Sequence, residues 1–155
     1  MCRERIEAAL ESLKHCQQAE AIHCVRKDIK KVRAALRLVR DAIPQKAFRQ
    51  LTKMLRESAS HLSPTRDAHV KIKAFKNLVQ HFRPELGPGA LHHIRKALLG
   101  GFQQATWTFA KEKTAGRVER ILKRTAADFN DLSVCRKGWK VLSTGLKKQL
   151  WPGIQ

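Results

Sequence analysis

The chain has 155 residues, 43% of them hydrophobic, which excludes a disordered basic tail and is enough for one domain with a core. Lysine and arginine number 32 against 13 acidic residues, a net charge of +19, so the self-repelling surface favours polyanionic partners: nucleic acid, an acidic membrane surface or a phosphate polymer. The longest apolar stretches fall far short of the ~20 residues a membrane span needs, and no apolar leader follows Met1-Cys2-Arg3.

The first helix is predicted over about 3–17, with Ile6, Leu10 and Leu13 on one face. A second runs from about Ala19 to Asp41 and stops before Pro44. Its buried stripe is Ile22, Val25, Ile29, Val32, Leu36 and Val39. A third starts near Pro44, where proline suits a first turn, and carries Phe48, Leu51, Leu55 and Leu62. Ser63 reads as the N-cap of a fourth helix with Pro64 as its first residue, continuing to about His81 with apolar positions Val70, Ile72, Phe75 and Leu78.

Residues 83–89, RPELGPG, form the clearest loop and separate a four-helix unit from the remainder of a single domain. A fifth helix starts near Ala90, and Gly100-Gly101 is expected to weaken or break it. Thr114-Ala115-Gly116 reads as another joint. A sixth helix follows with Val118, Ile121 and Leu122, and a seventh over about 131–150 ends before Trp151-Pro152-Gly153. No segment alternates like a strand. The fold class is all-α, an antiparallel bundle of about seven helices.

The second helix carries the main functional signal. Arg26, Lys30, Arg33, Arg37 and Arg40 recur at steps of four, three, four and three, which puts them on one ridge beside the buried stripe. Like charges so placed repel by a few tenths of a kcal/mol per pair, so the ridge implies an external anion. It spans about 21 Å at 1.5 Å per residue. Lys27 and Lys31 widen it, and only Asp28 offsets it locally. Guanidinium forks match phosphate oxygens with paired hydrogen bonds. A solvated face whose long stems shield the core is the plain alternative. His23 lies one turn before Arg26 and is a candidate phosphate ligand.

Other chemistry is sparsely represented. Cys2, Cys16, Cys24 and Cys135 form no C-x-x-C pair and read as free thiols, which suits a reducing cytosol. The histidines form no metal-binding pattern, and neither a metal nor a cofactor is expected. A phosphohistidine carrier built on His23 has no base-orienting acid, because Asp28 falls about 140° round the helix.

The motif His23, Arg26, Lys30-Lys31, Val32, Arg33, Arg37 resembles the opening signature of the CHAD family, the conserved histidine α-helical domain. Arg66-Asp67-Ala68 resembles a later segment of that family, with His69 standing where an acidic residue is usual. Gly145-Leu146-Lys147-Lys148 and Gly153 resemble a third, while Trp151, Pro152 and Ile154 occupy positions that are basic in the family. The resemblance implies non-catalytic binding of inorganic polyphosphate by His23, Arg26, Lys30, Arg33, Arg37 and Arg66, with Lys27, Lys31, Arg40, Lys147 and Lys148 as further contacts. It implies a cytoplasmic protein found with polyphosphate granules.

Such domains hold the polymer in a basic cavity between two pseudo-symmetric bundles, and this chain resembles the first half. His92, Arg95 and Lys96 echo the histidine-basic spacing, but Leu99, Gly100 and Phe102 fall where further cations belong. A homodimer would restore the closed cavity. Nucleic acid is the competing polyanion, although the strip from His23 to Arg40 carries no aromatic residue on which bases would stack.

Overall fold

A computed structural model describes residues 2–15, 19–82, 89, 91–132 and 143. Six α-helices follow one another: α1 (Cys2–Lys14), α2 (Ala19–Leu38), α3 (Gln45–His61), α4 (Ser63–His81), α5 (His92–Lys111) and α6 (Thr114–Asn130). A short 3-10 turn, Arg40–Ala42, joins α2 to α3. The described residues contain no strand, so the all-α reading holds. The seventh predicted helix falls almost wholly outside the described residues, as do residues 83–88 of the predicted loop and Cys16 and Cys135. Cys2 and Cys24 are free thiols.

The core comes from four helices. Ile6, Ala9 and Leu13 of α1 meet Ile22, Val25, Ile29, Val32 and Leu36 of α2, and Leu51 and Leu55 of α3 and Val118 and Leu122 of α6 complete the cluster. Each Leu, Ile or Val so buried contributes roughly 1.5–3 kcal/mol of transfer free energy. The stripe predicted on α2 is therefore the central seam of the bundle; only Val39, past the helix end, is half-buried. α1 lies along α2, and α6 closes the bundle against α1 and α3.

α4 and α5 contribute little to this core, only Phe109 of α5 packing against its edge from these two helices. They pair with each other, yet α4 buries only Thr65 and α5 buries no residue at all. Val70 and Leu78, two of the apolar positions predicted on α4, are exposed. The helical period was legible, but α5 only half-buries Ile72 and Phe75 and leaves Val70 and Leu78 exposed.

Four local details differ from the sequence expectation. α2 ends at Leu38 rather than Asp41, because Ile43 must be extended before Pro44 (φ −124°, ψ 152°) and the chain tightens into a 3-10 turn to reach it. Ser63 does not cap α4. Leu62 stays near-helical at φ −87°, ψ −11°, so α3 runs almost directly into α4, and the Ser63 hydroxyl is used elsewhere. α5 passes unbroken through Gly100-Gly101, since roughly 1 kcal/mol per glycine is tolerable in a helix of 20 residues packed along α4. The joint placed at residues 114–116 lies one residue earlier: Lys113 adopts a left-handed conformation (φ 49°), and Thr114 already opens α6.

Candidate anion-binding site

The ridge of α2 runs along its seam with α3. Arg26, half-buried, donates from Nη1 to the Ala59 carbonyl oxygen at 2.5 Å and to Ser63 Oγ at 2.6 Å. At the other end the Arg40 guanidinium lies 5.4 Å over the Phe48 ring, a cation–π contact. Between them Arg33 lies within the influence of the Arg56 charge of α3. Position falls along α3 as it rises along α2, so the two helices are antiparallel and these arginines are three stations on one seam.

The end stations are tied to protein and the middle one is not. Arg33 Nε is buried without a hydrogen-bond partner among the described residues. Burial first, then the charges of Arg56 and Arg37, pulls the Arg33 guanidinium below the usual arginine range. No ion pair to Arg33 or Arg56 is seen among the described residues. Three guanidiniums set against each other with an unmet donor are a cost to the free chain, and an anion placed among them removes that cost.

The remaining predicted residues are distributed around this cluster. His23, Lys27, Lys30, Lys31 and Arg37 of α2 are exposed. Asp28 does not lie in the ridge. It is buried, with Arg5 of α1 at 3.6 Å and Lys31 at 3.7 Å, so it fastens α1 to α2 and draws Lys31 aside. Arg66, at the start of α4, is half-buried and sits 3.5 Å from Asp67. Because α2 ends at Leu38, Arg40 belongs to the 3-10 turn, and the helical part of the ridge from Arg26 to Arg37 spans about 17 Å rather than 21 Å. Lys147 and Lys148 lie outside the described residues.

Arg56 was missed in the sequence, together with a second basic series on the same helix. Lys46, Arg49, Lys53 and Arg56 are all exposed and recur at steps of three, four and three, the rhythm already noted on α2. Arg49, Lys53 and Arg56 line one shallow groove with Phe48, Thr52, Ser60 and one carboxylate, Glu57. The only acid of α3, Glu57, is 3.8 Å from His61. The spacing was visible, but nothing short of the antiparallel pairing shows that this ridge abuts the first.

No group of three or more His, Cys, Asp or Glu able to hold a metal ion occurs among the described residues. No helix among them is long and apolar enough to cross a membrane.

The protein is thus an all-α helical bundle with an arginine cluster at one interhelical seam. The chain matches the CHAD domain family over residues 1–150 and belongs to it. Comparison with curated proteins and with solved structures gives no significant match.

Proposed function

We propose that the chain binds inorganic polyphosphate, without catalysis, along the α2–α3 seam. The observation that carries this reading is the buried Nε of Arg33, without a hydrogen-bond partner among the described residues, under the charges of Arg56 and Arg37. Phosphate oxygens satisfy guanidinium donors in pairs and cancel the repulsion among them. Arg33, Arg37 and Arg56 form the central contact. His23, Lys27 and Lys30 extend it along α2, with Lys31, drawn towards Asp28, at its margin, and Lys53 and Arg49 extend it along α3. Arg26 and Arg40 hold the seam in register, and Arg66 lies beside its Arg26 end.

A repeating phosphate chain suits a track of cations better than a base-bearing polymer does, because the α2 strip has no aromatic platform and Phe48 is already under Arg40. His23 is exposed, Asp28 is taken by Arg5 and Lys31, and Glu20, one turn before His23, makes no ion pair with it among the described residues, so no acid is seen to orient a phosphoryl-accepting imidazole. A cytoplasmic site on polyphosphate granules follows from this ligand, and a second copy bringing another seam would enclose the polymer.

Competition titration tests the reading. Long-chain polyphosphate should displace labelled duplex DNA at equal phosphate concentration, and Arg33→Met should abolish that preference. If DNA displaces polyphosphate instead, the protein is a general nucleic-acid binder.

A further inference from the structure

The hairpin of α4 and α5 has a surface the anion site does not use. Where the C-terminal half of α4 meets the N-terminal half of α5, a groove of about 410 Å³ is lined by Ile72, Phe75, Val79, Leu98 and Leu99. Lys76 and Arg95 stand on its walls. Of these lining residues Leu99 is 41% exposed, and Leu78 and Ile94, each 50% exposed, lie on the same two helices outside the lining. Leaving such side chains in water forgoes roughly 1.5–3 kcal/mol each. Contiguous apolar surface of this kind marks interaction sites.

Charge selects the occupant. The two helices carry seven lysines and arginines and one acid, Asp67, which already neighbours Arg66. A second copy would set Lys76 and Arg95 against their own kind, in a chain whose net charge is already +19. A bilayer is flat, whereas this surface is a trough between two helices. We infer that the α4–α5 groove docks an acidic amphipathic helix from a protein partner, its leucine-like stripe entering between Phe75 and Leu99 and its flanking carboxylates meeting Lys76 and Arg95. This is helix-in-groove recognition, with apolar anchors at helical spacing and a charged rim. It is independent of the polyphosphate reading.

The test uses the whole chain and a fluorescein-labelled helical peptide of about 15–20 residues, with leucines on one stripe and glutamates flanking it. Its counterparts carry lysine for glutamate, or the same composition with the leucines scrambled. The acidic amphipathic peptide should bind and both counterparts should not. Val79→Gln and Leu99→Gln, on different helices and both lining the groove, should each weaken the peptide roughly tenfold. Helicity by circular dichroism and polyphosphate affinity should stay unchanged in both. Equal binding of the scrambled peptide overturns the proposal in favour of plain charge attraction. Loss of the peptide in Arg33→Met but not in Leu99→Gln moves it to the α2–α3 seam and also overturns it. Two further results reassign the groove. One is self-association in sedimentation that Leu99→Gln abolishes. The other is binding to phosphatidylglycerol-containing vesicles, with the same variant dependence, in the absence of peptide binding.

Discussion

Ser63 Oγ accepts a hydrogen bond from Arg26 Nη1 at 2.6 Å and donates its own proton to the Ala59 carbonyl oxygen at 3.1 Å. The same Nη1 also reaches that carbonyl at 2.5 Å, so one guanidinium clasps the corner where α3 becomes α4. The arginine that the sequence motif offers first as a ligand is thereby engaged by protein.

Arg26→Ala should therefore destabilise the fold by about 1–3 kcal/mol, the usual cost of stranding partners of a part-buried charged hydrogen bond. Ser63→Ala should cost less, and the two should be non-additive, since each removes the other's partner. Urea unfolding of both single variants and the double variant measures this. Polyphosphate affinity of folded Arg26→Ala should fall less than that of Arg33→Met. The reverse order would return Arg26 to the ligand set.

Arg33 should behave oppositely. Its pKa is lowered, so the folded chain holds the proton less readily than the unfolded chain. The charged form then opposes folding at every pH where it persists, and relief comes only as pH climbs through the lowered value. Arg33→Met keeps the long stem and removes the charge, so the unliganded variant should be at least as stable as the parent while losing affinity. Saturating polyphosphate should stabilise the parent by about 2.7 kcal/mol at a hundredfold excess over Kd, and the variant by much less. Thermal unfolding with and without polymer reads both effects.

How much of this was legible in the sequence depends on the kind of interaction. The 3.6-residue period on α2 gave both the buried stripe and the cationic ridge, because one helix fixes their relation internally. Which arginine is tied and which is unmet depends on what lies across the seam. Ser63 meets Arg26, Phe48 meets Arg40, and the Arg56 charge acts on Arg33, and each partner comes from a different point along the following helices. Apolar period alone likewise could not show that Val70 and Leu78 remain uncovered.

Arg56 offers the sharpest check on the seam. Arg56→Ala should weaken polyphosphate as much as Arg33→Met does, although it lies on another helix and outside the motif. The slope of log affinity against log salt should fall by roughly one unit per cation removed. Arg40→Ala, which loosens a cation–π contact rather than a phosphate contact, should leave that slope nearly unchanged. Titrations at a series of salt concentrations decide between them, and an unchanged slope in Arg56→Ala would remove α3 from the site.

Gly100 and Gly101 test whether the unbroken course of α5 carries a cost. A methyl group added at either position meets nothing within 4 Å, and neither has the positive φ that would demand glycine. Both glycines therefore add freedom to the unfolded chain without serving any close approach in the folded one. Gly100→Ala and Gly101→Ala should each stabilise the protein by about 0.4–1 kcal/mol. Their effects should add roughly, because neither methyl has a neighbour to disturb. Polyphosphate affinity should not move, since the α2–α3 seam lies elsewhere. A loss of stability in either variant would mean that α5 needs to bend at that point, and equilibrium denaturation of the two single variants and their combination measures it.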